Sequence, residues 1–389
     1  MFYIIKFFKL KIIIIFSMDL ERFQLIKKKD RNVNNNGEIS DVKDIILISY
    51  FSPTIVGLIN VIIIFIAFII VLFKRTNASF FNFNSKVIPK DLTYYQNIQN
   101  YFCDYFRYEY NKEIEDTISL YNVSLNGTSF DMFLYKDLDY LSWKIKLNQS
   151  LESVGTLHML NALNYYSDEN NYKNEDILII DIGANVGWYS IFFGMFKFSL
   201  LAFEPYPENY YILKKNYCRN NRDYFGPNST ITIVNSALYT KETLCGYYQD
   251  IKNSKKDMVI CDLKKEKNFN IDYMRMGRIN STKLSNFIPL IENKKLALLR
   301  LDLEFEGENA IESGKELITK YHVPFIFIEF NIEMFSIHKT KPKKFLSFFE
   351  ENGYKISLEG FLTKKFIKIE NLLKLDFVRI NLYLVYIGQ

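Results

Sequence analysis

Two glycines and an acidic residue follow an apolar run near the middle of the chain. The segment reads "DILIIDIGANVGWYS" over residues 176–190, with Gly183 and Gly187 four positions apart behind Asp181. An apolar run that ends in this way predicts a buried strand that turns sharply into a helix. Glycines at such a turn let a ligand approach the backbone closely. The spacing is G-x-x-x-G, which differs from the dinucleotide fingerprint G-x-G-x-x-G and argues against a pyrophosphate ligand.

A second carboxylate, Glu204, ends the next apolar run, "LLAFE", about twenty residues after the glycine loop. A carboxylate at this point can accept two hydrogen bonds from a ribose diol. The sequence thus has a glycine loop and a candidate ribose partner but no phosphate-binding pattern. This combination indicates an adenosyl cofactor without a pyrophosphate, and S-adenosylmethionine is such a cofactor. Its sulfonium cation would also gain from the carboxylates of Asp181 and Asp302. The alternative is a capping aspartate with turn glycines in a non-catalytic α/β domain.

Three further carboxylates, Asp302, Glu304 and Glu329, are candidates for catalysis. They end the predicted strands "LALLRLDLE" and "PFIFIEFN". Ligands of a doubly wound sheet bind beyond the carboxyl ends of its strands, so each of these groups is expected near the ligand. Any of them could take the proton of an attacking hydroxyl or hold the amino group of the cofactor. The alternative for Glu304 is a solvated run with Glu306 and Glu308 at a helix N-terminus.

The order of the apolar segments indicates the fold. From about residue 116, continuous apolar runs alternate with helical patterns, which is typical of a doubly wound α/β domain with a mostly parallel sheet. A long polar excursion over residues 241–294 interrupts the alternation, and we expect it to carry substrate contacts.

Five segments, taken in order, resemble the FkbM family of S-adenosylmethionine-dependent methyltransferases. They are "IDIGANVGWYSIFFG", "LLAFEPYPENYYILKKN", "TIVNSALY", "ALLRLDLEFEGENAIESGKELI" and "PFIFIEFNIEMF", and the likeness covers roughly residues 116–365. The resemblance implies a class I methyltransferase fold, which is Rossmann-like and has a seven-stranded sheet. It also implies O-methylation of hydroxyl groups on small molecules or sugars.

The resemblance assigns roles to individual residues. It places the glycine loop at the cofactor, Glu204 at the ribose, and two residues after the third strand beside the adenine. The implied cofactor-binding residues are Asp181, Gly183, Asn185, Gly187, Glu204, Asn235 and Ala237. The chain departs from the family pattern after the fourth strand, where Phe305 occupies the position of an expected glycine in "DLEFEG". If that position needs a positive φ, phenylalanine would strain or shift the turn.

A membrane anchor is predicted near the start of the chain. Residues 54–73, "TIVGLINVIIIFIAFIIVLF", carry no charge, and as a helix they would be about 30 Å long, the thickness of a bilayer core. We therefore predict an N-terminal tail that is partly disordered, a transmembrane helix, a stem and an FkbM-like methyltransferase domain. Their bounds are 1–45, 46–75 (core 54–73), 76–115 and 116–389. Residues 1–16 are a signal-like segment, an interfacial helix or a leader ahead of Met18.

The charges beside the apolar segment and the cysteines bear on the compartment of the protein. Basic residues flank the apolar segment on both sides, so the positive-inside rule gives a mixed signal for its orientation. We expect a short cytosolic tail and a lumenal catalytic domain in the endoplasmic reticulum or Golgi. The four cysteines indicate either one or two disulfides or four buried thiols. Six glycosylation sequons are close to the number expected by chance. They start at Asn77, Asn122, Asn126, Asn148, Asn228 and Asn280.

Composition limits the remaining choices. The net charge of +5, from 49 basic and 44 acidic residues, is too weak to indicate nucleic-acid binding. The three histidines are far apart and no C-x-x-C pair occurs, so we expect no metal. The sequence thus predicts a membrane-anchored O-methyltransferase whose acceptor is a small molecule, glycan or glycolipid. Two alternatives stay open: a pseudoenzyme that binds cofactor or protein, and a cytosol-facing methyltransferase for lipids or metabolites.

Overall fold

The computed structural model divides into two compact units, Met1–Lys86 and Val87–Gln389. It describes residues 2–7, 10–17, 24–26, 44–50, 103, 111–136, 139–221, 230–250, 258–262, 273–302, 307–337 and 340–388.

The described part of the first unit is a four-stranded sheet with the order β1-β2-β4-β3. Its strands β2 and β4 are parallel and its other pairs are antiparallel. These segments are rich in isoleucine, whose branched side chain favours extended backbone. The sequence analysis did not anticipate these strands within the predicted tail. They are β1 (Phe2–Phe7), β2 (Leu10–Ser17), β3 (Gln24–Ile26) and β4 (Asp44–Tyr50).

The core of the predicted membrane helix, residues 54–73, lies outside the described residues, and residues 46–50 of the wider prediction belong to β4. In the parts of the chain that the structure describes, every helix is too short or too polar to cross a bilayer.

The second unit begins with a hairpin and two helices that cover one face of the main sheet. In the hairpin, β5 pairs antiparallel with β6 across a turn at Asn126 and Gly127. The buried side of β6 packs with helices α2 and α3 in one hydrophobic core. These elements are α1 (Lys112–Glu115), β5 (Ile118–Leu125), β6 (Thr128–Tyr135), α2 (Tyr140–Asn148) and α3 (Ser153–Asn170).

The main sheet has seven strands in the order β16-β17-β15-β14-β7-β8-β9. All neighbouring pairs from β15 to β9 are parallel, whereas β17 runs antiparallel to both β15 and β16. This is the mostly parallel seven-stranded sheet that the sequence predicts. The strands are β7 (Ile177–Ile182), β8 (Ser199–Phe203), β9 (Ile231–Val234), β14 (Lys295–Asp302), β15 (Phe325–Asn331), β16 (Tyr354–Ser357) and β17 (Arg379–Tyr386).

The central strands are buried on both faces, which explains their continuous apolar runs. Two hydrophobic clusters lie on the two faces of the sheet. The helices that cover them are α4 (Trp188–Met195), α5 (Pro207–Asn221), α6 (Ile288–Ile291), α7 (Gly307–Ser313), α8 (Lys315–Thr319), α9 (Ile332–Ile337), α10 (Pro342–Glu351) and α11 (Ile369–Leu372). The chain winds outward from β7 through β8 to β9 and then returns to β14 on the other side of β7. Strand order therefore reverses between β7 and β14, the place where doubly wound folds bind ligands.

The polar excursion forms a second, smaller sheet with the order β10-β13-β11-β12. A disulfide, Cys245–Cys261, lies in its core, and a second disulfide joins Cys103 to Cys218 of α5. Of the alternatives that the cysteines left open, the structure therefore has two disulfides. The strands of this sheet are β10 (Ala237–Leu238), β11 (Leu244–Asp250), β12 (Met258–Ile260) and β13 (Tyr273–Thr282).

Candidate active site

The glycine loop connects β7 to α4 at the point where the strand order reverses. Gly183, Asn185 and Gly187 all have positive φ, at 80°, 52° and 96°. The loop folds back onto β8, because the N–H groups of Gly183 and Ala184 both donate to the carbonyl of Phe203 at 3.0 Å. Glycine is required at position 183 for conformation and for space, since a Cβ there would lie 3.0 Å from the Cβ of Asp302.

Glu204 lies at the end of β8 and ties the glycine loop to the next turn. Its carboxylate accepts the backbone N–H of Asn185 at 2.7 Å and that of Tyr206 at 2.8 Å. Burial raises the pKa of Glu204 to about 8, although these two N–H groups act in the opposite direction. An ionised carboxylate has about four acceptor positions, so two stay available for a ribose diol.

The two residues predicted beside the adenine lie after β9. The exposed Asn235 donates from its side-chain amide to the carbonyls of Glu204 at 2.9 Å and Pro205 at 3.1 Å. It therefore holds the backbone around Glu204. Ala237 is buried in β10, where it packs into the core of the smaller sheet. Their contact with adenine stays a prediction.

Arg300, two residues before the carboxyl end of β14, was not among the site residues predicted from the sequence. It is 3% exposed, and its guanidinium connects the glycine loop with the carboxylates of the neighbouring strands. Nη1 lies 2.8 Å from the carbonyl of Gly183 and 3.2 Å from Oδ1 of Asp181. Nη2 lies 3.1 Å from Oδ2 of Asp302 and 3.8 Å from Oε2 of Glu329. A charged residue inside the apolar run "LALLRLDL" was the available signal.

Both carboxylate oxygens of Asp181 are bonded to neighbouring side chains. One carboxylate oxygen pairs with Arg300 and the other accepts the hydroxyl of Ser190 at 2.8 Å. Burial raises the pKa of Asp181, while Arg300 and Ser190 draw it down. Burial lowers the pKa of Arg300, but the surrounding carboxylates outweigh burial and raise it, so the guanidinium stays charged. The pair therefore fixes the position of the loop.

The structure brings two of the three catalytic candidates together. Asp302 and Glu329 lie opposite each other in the parallel pair β14–β15, at the carboxyl edge of the sheet. Burial raises the pKa of Glu329 well above its ordinary value, as do Asp302 and Glu152, against the effect of Arg379 and Arg300. Glu304 and Phe305 lie outside the described residues.

Asp302 differs from the other carboxylates in one respect. Its Oδ2 is bound by Arg300, whereas its buried Oδ1 has no hydrogen-bond partner among the described residues and lies 3.8 Å from Nη2 of Arg379. An acceptor that is buried without a bonding partner is costly, and such atoms often mark functional positions. In the described part of the chain, no group of three acidic, histidine or cysteine side chains is arranged to hold a metal ion.

These features agree with an adenosyl cofactor. The turn at Gly183 brings backbone to the carboxyl edge of the sheet, Glu204 retains acceptor positions, and Asp302 supplies negative charge for a sulfonium. Asp181, whose oxygens are already bonded, would support the loop through Arg300. A doubly wound sheet with this turn and this carboxylate defines an α/β protein that binds an adenosyl cofactor.

Comparison with known families identifies the domain. Residues 181–356 match the family described as the methyltransferase FkbM domain. The resemblance found in the sequence is therefore confirmed over residues 181–356, which are similar to the methyltransferase FkbM domain. The cofactor of this domain is S-adenosylmethionine, as the glycine loop and Glu204 predicted. No curated protein matches the chain.

Solved structures give distant matches. One is WbdD, described as a bifunctional kinase-methyltransferase, with 10% identity, a TM-score of 0.34, and coverage of 62% of this chain and 42% of WbdD. Another is magnesium protoporphyrin IX methyltransferase from Synechocystis PCC 6803 with bound cofactor, with 8% identity, a TM-score of 0.33, and coverage of 77% and 98%. A third is the plantazolicin methyltransferase BpumL, with 15% identity, a TM-score of 0.28, and coverage of 64% and 91%. The chain spans less than half the length of the WbdD structures that it matches.

Proposed function

We propose that this protein is an S-adenosylmethionine-dependent O-methyltransferase that acts on a hydroxyl group of a glycan, a glycolipid or a small molecule. One observation carries the proposal. Asp302 has one carboxylate oxygen held by Arg300 and a second, buried oxygen without a hydrogen-bond partner among the described residues, directly beside Gly183 of the cofactor loop.

When bound, the cofactor would supply a methyl group activated by its sulfonium, and the bond from this carbon to sulfur would break with its electron pair left on sulfur as a neutral thioether. A hydroxyl oxygen that forms the new bond to this carbon must lose its proton, which requires a base at the carboxyl edge of the sheet. Asp302 can accept this proton at Oδ1, while Arg300 keeps the carboxylate in place through Oδ2. Holding the reacting atoms about 3 Å apart supplies much of the remaining rate enhancement.

Glu329 is the weaker candidate for the base. Its carboxyl is buried, it is bonded to Arg379, and burial raises its pKa well above the ordinary value. With one oxygen bonded to Arg379 and the other 3.8 Å from Nη2 of Arg300, the Glu329 carboxyl is occupied by guanidinium groups and has less capacity to accept the proton of a hydroxyl. We assign Glu329 the role of holding Arg300 and Arg379 in position.

The experiment measures the rate of methyl transfer from labelled S-adenosylmethionine to cellular glycans, lipids and small alcohols. It compares the wild-type protein with Asp302→Asn. Loss of a general base lowers kcat by about 10²–10⁴-fold, so the variant should lose transfer by at least about a hundredfold. Its affinity for S-adenosylmethionine in calorimetry should stay within a few fold. Asp168→Asn, an exposed position on α3, is the matched control and should behave as wild type. Undiminished transfer by Asp302→Asn would refute the assignment.

Phe305 favours a second candidate function, a pseudoenzyme that binds cofactor or a protein partner. The reason is that Phe305 replaces a glycine expected from the family pattern. Cofactor binding without transfer to any cellular fraction would support this candidate. The variant Phe305→Gly then separates the two, because a transferase impaired only at this turn should gain activity.

We propose that residues 54–73 anchor the protein as a single pass, with the catalytic domain in the lumen of the endoplasmic reticulum or Golgi. The two disulfides support this proposal, because disulfides persist in oxidising compartments. The sequon residues Asn122 and Asn126 are exposed, so a lumenal domain should gain glycans there. A band shift on glycosidase treatment that disappears in Asn122→Gln/Asn126→Gln would support this orientation. An unmodified protein would favour the cytosol-facing alternative.

A further inference from the structure

A cavity of about 410 Å³ opens between the start of α3 and the start of β17. Small-molecule sites occupy about 300–1,000 Å³, so this cavity is large enough to hold part of a ligand. Its lining combines polar and apolar side chains from three separate segments. They are Glu152, Val154, Gly155, Leu358, Ile380, Asn381 and Tyr383.

The cavity is connected to the proposed base by direct contacts. Glu152 accepts the hydroxyl of Tyr189 at 3.0 Å, and the ring of Tyr189 lies 4.4 Å from the guanidinium carbon of Arg300. Arg300 in turn holds Asp302. On the other wall, Asn381 lies opposite Glu329 in the antiparallel pair β15–β17. A molecule in this cavity would therefore lie next to the carboxyl edge where methyl transfer is proposed.

Glu152 is held in an unusual backbone conformation. It precedes α3 with φ at 44° and ψ at 53°, in the left-handed region, and its side chain makes no capping bond to the helix. A non-glycine residue in this region costs about 1 kcal/mol or more, and such strain is concentrated at functional sites. The conformation directs a carboxylate to the cavity and not to the helix N-terminus.

The lining indicates the chemistry of the occupant. Glu152 accepts hydrogen bonds, the amide of Asn381 both donates and accepts, and Tyr383 offers an aromatic ring beside them. Among the described residues that line the cavity there is no lysine or arginine. The nearby Arg300 and Arg379 are both engaged by carboxylates. The site is thus suited to hydroxyl groups and disfavours phosphate or carboxylate, which would face Glu152.

All the lining residues lie outside residues 181–356, the part that matches the FkbM domain. The cofactor loop is thus supplied by the family domain, whereas the cavity is made by flanking segments of this chain.

We propose that this cavity is the acceptor subsite and that it binds an uncharged, hydroxyl-bearing group through Glu152 and Asn381. The inference rests on the proposed O-methyltransferase function and adds to it the charge class of the acceptor and the residues that select it.

Gly155 provides a sharp test that preserves the fold. A Cβ at this helical position would lie 3.4 Å from Cζ of Phe327 and 3.6 Å from Nδ2 of Asn381, both ordinary contacts. Alanine also has a higher helix propensity than glycine, so Gly155→Ala should melt at the same or a higher temperature. The new methyl group nevertheless occupies space beside Asn381.

The experiment measures binding of neutral methyl glycosides and of the matching sugar phosphates to the full-length protein by saturation-transfer NMR. We expect binding of at least one neutral glycoside. Binding should be about tenfold weaker in Glu152→Gln and Asn381→Ala, the loss that one charge-assisted or neutral hydrogen bond of about 1.4 kcal/mol represents. It should also be weaker in Gly155→Ala, because the added methyl group takes up space beside Asn381. Glu169→Gln, an exposed position on α3, is the matched control and should bind as wild type. S-adenosylmethionine affinity should be unchanged in all four variants.

The outcomes separate the two proposals. Absence of binding by the neutral glycosides, or preferential binding of the phosphates, overturns the subsite. Transfer to an alcohol whose KM is the same in the three variants also overturns it, while the O-methyltransferase assignment stands. Cofactor binding without any transfer overturns the proposed function, and the NMR result then decides independently whether the cavity binds hydroxyl compounds.

Discussion

Replacing Arg300 by leucine should destabilise the domain and displace the cofactor loop. The guanidinium is the common partner of Asp181, Asp302 and the carbonyl of Gly183, and it lies 3.8 Å from Glu329. Leucine occupies similar space in β14 but leaves these acceptors without their donor. The variant therefore tests whether Arg300 is the element that holds the site together.

The expected magnitude follows from the burial of each partner. Removing one member of a buried ion pair costs about 3–5 kcal/mol. The side chain of Asp302 is 18% exposed and can recover some hydration, whereas that of Asp181 is 1% exposed and cannot. We therefore expect a loss near the lower limit, about 3 kcal/mol in the free energy of unfolding. The second unit, Val87–Gln389, is larger than a domain of about 250 residues, for which 1 kcal/mol shifts Tm by about 2 °C, so Tm should fall by about 6 °C or less.

The loss should depend on pH in a defined direction. Burial raises the pKa of Asp181, and Arg300 opposes this effect, so the pKa should rise further when Arg300 is removed. A carboxyl whose pKa is raised by folding stabilises the protein at low pH, and that contribution is lost as pH rises through the folded pKa. The difference between wild type and Arg300→Leu should therefore be larger at about pH 8 than at about pH 5.

Urea unfolding followed by circular dichroism at the two pH values measures this difference. Arg219→Leu is the control, because Arg219 pairs with Asp131 at the surface and its side chain is 50% exposed. Exposed ion pairs contribute about 0–1 kcal/mol. A loss in Arg300→Leu no greater than that of Arg219→Leu, or one that does not change with pH, would refute the reasoning.

Three further predictions concern the loop, the ribose carboxylate and the smaller sheet. Burial raises the pKa of Glu204 to about 8, and ribose hydroxyls would favour its ionised form. Cofactor affinity measured by calorimetry should therefore rise by up to about tenfold for each unit of pH below 8. The variant Glu204→Gln should not show this rise. Gly183→Ala and Gly127→Ala both force alanine into the left-handed region, which costs about 1–2 kcal/mol of folding free energy. Only Gly183→Ala should weaken cofactor binding, measured by calorimetry. Gly127→Ala is the control, because a Cβ at Gly127 meets nothing within 4 Å. Replacing Cys245 and Cys261 by serine opens a loop with a separation of 16 residues and should cost about 3 kcal/mol, whereas an unchanged Tm would contradict this estimate.

The glycine loop and its proximity to Glu204 could be predicted from sequence because both depend on local chemistry. A glycine turn after a buried strand has a recognisable pattern, and the next strand of a doubly wound sheet lies beside the first, so Glu204 is close to Gly183 in space. The mostly parallel sheet followed from the alternation of apolar runs with helices, and its seven strands were implied by the resemblance to the FkbM family. The pairing of the cysteines could not be predicted, because it depends on how the polar excursion folds into the sheet that joins Cys245 to Cys261.

The role of Arg300 could not be predicted, although its position in an apolar run was visible. Its partners come from three strands, and a parallel register sets which residues of neighbouring strands lie opposite one another. Arg300 lies opposite Asp181, and Asp302 lies opposite Glu329. These registers are fixed by packing of the whole sheet and not by any local pattern.

The cavity, like the role of Arg300, could not be predicted from the sequence, because its lining residues come from distant parts of the chain. Glu152 and Asn381 are separated by more than half of the chain, and they meet only because β17 is inserted antiparallel beside β15. A change in either flanking segment alters the cavity without touching the glycine loop or Glu204. Under the proposed acceptor subsite, substitutions at Glu152, Gly155 and Asn381 should therefore change acceptor binding without changing cofactor affinity.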